Sequence, residues 1–305
     1  MKVILAGGSG FLGRTLARRF PDAVVLTRRP AEIDFARAVA WDGRTIGDWA
    51  RELDGADAVV NLAGRSVNCR YTARNRRRMM DSRVLSTRVL GEAIARCATP
   101  PPVWLNSSTA TIYLHTFGAP HDESGIVVAA PEANDAFSIE VATAWEAEFD
   151  RAATPATRKI AMRTAMVFGN EAGGVHDVLR RLTRLWMGGR MGSGLQYVSW
   201  LHADDFGRAV EWLIANRRAS GIYNLCAPTP LTNGEMMAAL RRVHGRSFGL
   251  PAYRWMLEIG AFFLRTETEL ILKSRRVVPG RLLAEGFSFL HSTLEEALRD
   301  LAGVR

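Results

Sequence analysis

Lys2-Val3-Ile4-Leu5-Ala6-Gly7-Gly8-Ser9-Gly10-Phe11-Leu12-Gly13 is the stretch on which the fold turns. Residues 3–6 are an uninterrupted apolar run, the pattern of a parallel strand buried on both faces. Residues 11–20 carry Leu12 and Leu16 on one face and predict a helix. Between strand and helix the glycines are spaced G-x-x-G-x-x-G. Gly7 serves a tight turn, Gly10 lets the backbone approach a pyrophosphate, and Gly13 lets helix and strand pack closely. The free N–H groups at the helix start, around Ser9, Phe11 and Leu12, favour phosphate together with the helix dipole. A strand running straight into such a turn and then into a helix predicts a dinucleotide cradle.

Working outward, strands and helices alternate. Strands are expected at 23–27, 38–41, 57–61, 103–107 and 159–168. Long helices are expected at 72–97, with a possible break, and at 134–152. After Gly169 come glycine loops around a helix at 175–186, then a short strand at 196–201. Asp204 is expected to cap a helix reaching Asn216, a strand follows at 221–225, and Thr232 caps the next helix. The tail predicts helices near 252–264, 266–277 and 292–302. This is an α/β chain: a Rossmann-type, doubly wound parallel sheet with a smaller, mostly helical C-terminal substrate part. The dinucleotide-binding domain is expected over 1–170, completed by 196–228. Residues 171–195 and 229–305 form the smaller part.

At 305 residues the chain can build one large or two unequal domains. Its 48% apolar and 23% charged residues are the balance of a globular protein. The longest apolar run, Trp255 to Leu264, is short of a bilayer span and carries Glu258, so no membrane partner is expected. The chain opens on a core strand, so no signal peptide is expected and the cytoplasm is the expected compartment. Cys69, Cys97 and Cys226 form neither a metal spacing nor a disulfide framework, and Cys97 and Cys226 read as small apolar fillers. His202 with Asp204 and Asp205 has the spacing of a helix cap, and no metal is expected.

The net charge is +9, and lysine occurs only at positions 2, 159 and 273. The densest cluster, Arg74-Asn75-Arg76-Arg77-Arg78, opens a long helix and lacks interleaved aromatics. That argues against nucleic acid and for a solvated face or an anionic ligand. A monomer or homodimer acting on a small molecule is expected.

The end of the second strand selects the cofactor. An acidic residue there would accept from a ribose 2′-hydroxyl, but this chain has Thr27-Arg28-Arg29. Arg28 suits a 2′-phosphate, so NADP is expected ahead of NAD. Asp42 stands where an adenine amino group could be met. Asn61-Leu62-Ala63-Gly64 ends the fourth strand with small residues that let the backbone pass close to a ligand.

These residues resemble the extended short-chain dehydrogenase/reductases, and most closely an atypical branch described as nucleoside-diphosphate-sugar epimerases with a C-terminal domain of unknown function. The likeness runs through nearly the whole chain. It is carried by Val60–Gly64, Asp81-Ser82-Arg83-Val84, Trp145-Glu146, Gly188-Gly189, Gly192-Ser193-Gly194 and Ser199-Trp200-Leu201-His202-Ala203-Asp204-Asp205. Glu269–Arg276 and Gly286-Phe287-Ser288-Phe289 add to it. The resemblance implies an NADP(H)-binding epimerase or oxidoreductase acting on a hydroxyl or carbonyl compound, a nucleotide sugar among the candidates. It also implies that Ser107, Ser108 and Thr109 form the Ser/Thr motif ending the fifth strand, with Thr109 orienting the substrate oxygen. Arg163 and Val167, at the end of the sixth strand, would flank the nicotinamide. Arg190, Gln196, Ser199, Trp200, Lys273 and Arg276 would lie on the substrate side, where Arg190, Lys273 and Arg276 could pair with an anionic group. For helix 266–277, ordinary packing with a wet basic face is the equal alternative.

The family's Tyr-x-x-x-Lys pair is missing. None of the five tyrosines lies four residues before a lysine. Lining up Glu146 with the glutamate that follows this motif puts Ser138 and Ala142 at the two positions, and neither can serve as the usual acid–base group. Tyr113 is the foremost substitute acid–base group, with His115, Glu140 and His202 as others. A non-catalytic NADP(H) binder that reports redox state stands as the alternative function.

Overall fold

The computed structural model describes residues 1–172, 174–258 and 267–304. The core is a seven-stranded sheet of β1 (Val3–Ala6), β2 (Val24–Thr27), β3 (Arg37–Ala40), β4 (Ala58–Asn61), β5 (Val103–Thr109), β6 (Arg158–Thr164) and β10 (Gly221–Leu225). The spatial order is β10-β6-β5-β4-β1-β2-β3, and every pairing is parallel. Connections run one way from β1 to β3 and the other way from β4 to β10. The order therefore reverses between β1 and β4, where a crevice opens at the carboxyl ends of the strands.

Each face of the sheet buries its own core. Val3 and Leu5 of β1 meet Leu16 and Phe20 from α1 (Phe11–Arg19), with Phe206 and Leu213 from α5 (Ala203–Ala215). Ile4 and Ala6 face the other way, onto Leu90 and Ile94 of α2 (Ala73–Ile94) and Phe149 of α3 (Ala136–Arg151). The alternation follows from the two-residue period of a strand. A third cluster gathers Leu179 of α4 (Val175–Arg184), Met237 of α6 (Asn233–Val243) and Leu298 of the C-terminal helix Leu294–Ala302.

Several expected elements differ. Helix α2 is unbroken, and the Thr72 hydroxyl caps it by accepting from the Asn75 N–H at 3.3 Å. The sixth strand is not continuous to Phe168. After Thr164 the chain leaves the sheet, the Met166 N–H turns to Ser199 O, and β7 (Met166–Phe168) pairs instead with β9 (Trp200–His202). The short strand expected at 196–201 is split likewise, since β8 (Tyr197–Val198) pairs antiparallel with β11 (Leu231–Thr232). Helix α5 is capped by His202, whose Nδ1 accepts from the Asp204 N–H at 3.1 Å, and not by Asp204 itself. Thr232 caps α6 as expected, in a reciprocal pair with Glu235.

The tail departs furthest. Of the helix expected at 266–277, only Glu269–Leu272 is helical among the described residues. The chain then runs extended, giving the Arg275 N–H to Tyr197 O and bridging Val277 to His121. Part of the helix expected at 252–264 lies outside the described residues. No helix among the described residues is long and apolar enough to cross a membrane.

Candidate functional site

The glycine turn has the shape a phosphate cradle requires. Gly7 has φ +71°, and a side chain there would fall 2.6 Å from the Ala63 Cα. Only glycine meets both conditions without strain. A Cβ on Gly13 would lie 1.8 Å from the Gly8 carbonyl oxygen, so the helix start rests directly on the turn. Above Gly10 nothing lies within 4 Å. That open face sits at the amino end of α1, whose first turn holds no acidic residue to neutralise its positive pole. The first N–H groups of the helix, at Phe11, Leu12 and Gly13, precede the first intrahelical bond, from the Arg14 N–H to Gly10 O. Ser9 is exposed beside them.

At the end of β2, Arg28 is exposed and has no hydrogen bond or ion pair among the described residues, while its neighbour Arg29 is held by Glu32 at 3.0 Å. Asp42 closes a turn by accepting from the N–H groups of Arg44 and Thr45 and from the Thr45 hydroxyl. Burial alone would raise its carboxyl, but these bonds hold it below the usual range.

The turn after β4 is set by Asn61, which is wholly buried. Its amide donates to Asn106 Oδ1 at 2.7 Å and to the Thr87 hydroxyl at 3.1 Å, while its oxygen accepts from the Ala63 N–H. The Trp145 indole also donates to Thr87, tying the turn to α3. Leu62 and Gly64 follow this fixed backbone. The Leu62 N–H is held by Ala6 O at 2.8 Å, and a Cβ on Gly64 would touch the Arg83 guanidinium at 3.3 Å.

At the end of β5, Ser107 and Thr109 are half-buried, and Ser108 donates to Glu146 Oε1 at 2.5 Å. Glu146 also takes a two-pronged bond from Arg163 at 2.9 and 2.7 Å. The Thr109 oxygen accepts from the Thr111 N–H, which leaves its own proton free to donate. Val167 is half-buried on β7. Tyr113, just past the end of β5, is buried. Its hydroxyl donates to Asn224 at 2.8 Å, its ring lies between His121 and the Arg163 guanidinium, and burial pushes the phenol up to about 12. Ala142 packs in the same cluster. Ser138 donates to Glu269 at 2.8 Å, Glu140 is exposed, and His115 accepts from the Ser274 N–H.

The side chains expected on the substrate side do not form one surface. Trp200 is fully buried, with its indole N–H on Thr229 O. Gln196 donates to Met191 O, and the Ser199 hydroxyl bonds the backbone of Val277. Lys273 is buried against Asp135 at 2.5 Å and donates to Thr111 O at 2.6 Å. Arg276 lies over the Tyr197 ring and donates to Gly118 O. Arg190 is exposed, bonded to Ser193 O.

One grouping went unseen in the sequence, which offered no further ligand for His202. The ligating atoms of His202, Asp204, His291 and Asp300 all lie within 4.8 Å of one another. His202 Nδ1 is taken by the helix cap, so its proton belongs on Nε2, which points to Asp300 at 3.3 Å. The Nδ1 lone pair is therefore committed to the helix cap, and the ring faces Asp300 through Nε2. Burial lowers the pKa of His202, helped by the neighbouring His291, and burial also lowers those of His115, His176 and His244. A histidine held neutral in the fold takes its proton first in the unfolded chain. Stability is therefore complete above the ordinary histidine range and is lost as pH falls through it. Glu269 and Asp150, raised by burial, act in the opposite sense but are fewer. The urea midpoint is expected to decline between about pH 7 and pH 5, and a flat midpoint there would refute this reading.

Known proteins share this architecture. Residues 3–226 match the NAD dependent epimerase/dehydratase family, and residues 254–301 match a domain of unknown function, DUF1731. The chain is 32% identical over 305 residues to the epimerase family protein ML0860 of Mycobacterium leprae, covering 97% of this chain and 94% of that one. It is 29% identical over 309 residues to the bovine epimerase family protein SDR39U1, covering 99% of each. The crystal structure of human SDR39U1 (isoform 2) with NADPH superposes with a TM-score of 0.87 at 27% identity, over 99% of each chain.

Proposed function

The chain belongs to the NAD dependent epimerase/dehydratase family, and on that premise we propose that it binds NADP(H) and acts on a small hydroxyl or carbonyl compound, nucleotide sugars included. The observation that carries this reading is the open face over Gly10 at the unneutralised start of α1, with exposed Arg28 at the end of the neighbouring strand. The human relative crystallised with NADPH supports it. The α1 N–H groups and Gly10 would hold the pyrophosphate, and Arg28 the 2′-phosphate. The Asn61 turn would bring backbone against the ligand, and the Thr109 hydroxyl would orient the substrate oxygen. NADPH, when bound, supplies a hydride.

Arg28→Ala is expected to weaken NADPH about 10- to 100-fold, the worth of one charge-assisted contact, and to leave NADH unchanged. Fluorescence titration with both dinucleotides measures it. Equal loss for both, or no loss, overturns the assignment of the 2′-phosphate to Arg28.

A second reading is a non-catalytic NADP(H) binder that reports redox state. Ser138 and Ala142, at the positions of the family's tyrosine and lysine, favour it, as does the buried Tyr113. Oxidation of NADPH by any member of a panel of aldehydes, ketones and nucleotide sugars, lost in Thr109→Ala, supports the enzyme. Stable bound NADPH across the panel supports the reporter.

A further inference from the structure

We propose that Glu269 and Ser138 form a proton-transfer pair serving the reacting oxygen of the substrate, with Ser138 touching that oxygen and Glu269 exchanging the proton through it. The inference rests on the NADP(H) reading above and adds to it the missing acid–base function.

Contact leads from the cradle to this pair without a gap. Gly7 lies against Ala63, and the next residue, Gly64, lies against the Arg83 guanidinium. Arg83 stands over the Trp145 ring and beside Tyr71, and burial pushes its guanidinium down to about 10. Tyr71 lies close enough to Ser138 and Glu269 to feel both, and its phenol is pushed up to about 12, chiefly by burial. The Ser138 hydroxyl reaches Glu269 Oε2 at 2.8 Å. On the other side Lys273, one helical turn beyond Glu269, bonds Thr111 O just past Thr109. The pair is thus linked, through these neighbours, to the turns that follow β4 and β5.

Glu269 is 5% exposed, and among the described residues its Oε1 has no hydrogen-bond partner although it is buried. A buried carboxylate oxygen without a partner calls for an explanation, and a part in proton transfer supplies one. The charged and titratable groups facing it are Tyr71, Arg275, Lys273 and Asp135. Lys273 is already bound to Asp135, and burial outweighs the two cations, so the carboxyl is held above its ordinary range. A carboxyl held above its ordinary range is better suited to give up a proton in a reaction than a free one.

For carbonyl reduction, a dihydronicotinamide donor gives a hydride to the carbonyl carbon, and the π electron pair moves to oxygen. That oxygen takes the Ser138 hydroxyl proton, while Ser138 takes the Glu269 proton. The products are the alcohol, the oxidised nicotinamide and a Glu269 carboxylate, which solvent reprotonates. Alcohol oxidation runs the same transfers in reverse.

The test needs no substrate. The oxidised nicotinamide ring carries a positive charge that the reduced ring lacks, and a nearby carboxyl then loses its proton. Calorimetric titration with NADP⁺ and with NADPH, each in two buffers of different ionisation enthalpy, counts protons exchanged. NADP⁺ is expected to release up to about one proton more per chain than NADPH. Glu269→Gln is expected to abolish the difference while both dinucleotides still bind. Should Glu269→Gln fail to fold, Ser138→Ala keeps the carboxyl and is expected to move the pH at which release is half complete. Equal proton counts in the unsubstituted protein, a difference that survives Glu269→Gln, or an unmoved pH in Ser138→Ala overturns the pair and leaves the NADP(H) reading standing. A chain that binds neither dinucleotide overturns both.

Discussion

Gly13→Ala is expected to cost about 3 kcal/mol of stability and to abolish NADPH binding. The added methyl would stand 1.8 Å from the Gly8 carbonyl oxygen and 2.4 Å from its carbon, and neither is a flexible side-chain end that can swing aside. Either α1 lifts from the turn or the turn opens, and both outcomes move the N–H groups that face the phosphates. Gly10→Ala is the matched control. Nothing lies within 4 Å of its Cβ position, and φ is −93°, so the fold should not notice the change. Stability equal to the parent with NADPH affinity down at least about tenfold is expected there. Urea melts and fluorescence titrations on the two variants separate packing from ligand approach. If Gly13→Ala melts with the parent, the close rest of helix on turn has been misjudged.

Lys273→Met is expected to destabilise the protein by about 3–5 kcal/mol, the cost of leaving a buried charge without its partner. Both side chains of the Lys273–Asp135 pair are fully buried. Burial lowers the lysine pKa, with Asp135 pulling the other way, so the ammonium is retained because of that carboxylate. Asp135 also accepts from the Ala130 N–H, so it cannot turn away when the lysine is lost. Adding Asp135→Asn should recover part of the loss, because no naked charge then remains. A single-variant loss under about 1 kcal/mol, as at an exposed pair, would contradict this account.

How far the sequence could be read depended on the distance between partners. Strand β1, the glycine turn and α1 are contiguous, and their period and glycine spacing were enough to anticipate the parallel sheet and the close rest of helix on turn. The Asn61 turn was legible for the same reason, since Asn61 holds Ala63 two residues on. The break after Thr164 was not, because apolar residues resume at once with Ala165-Met166-Val167-Phe168 while the pairing partner changes from β10 to β9. Lys273 and Arg276 read equally as partners for an anionic substrate group or as a wet basic face until Asp135 and Gly118 were brought to them. Ser138 and Glu269 are 131 residues apart, and no local pattern announces a carboxylate that meets a hydroxyl across such a gap.

The extended run after Leu272 bears on the order in which the chain can mature during synthesis. Asp135 waits for Lys273, Glu123 for the Arg281 N–H, and Asp205 for the N–H groups of Leu290 and His291. These carboxylates belong to early and middle parts of the chain and have partners there, in the Asn224 N–H for Glu123, the Ala130 N–H for Asp135 and Arg208 for Asp205, but their remaining bonds come only from residues 273–291. A nascent chain that has already paired β1 through β10 therefore still carries hydrated acids where the finished protein has an interior. The sheet can assemble first, but these carboxylates gain their full set of bonds only when residues 273–291 pack against it.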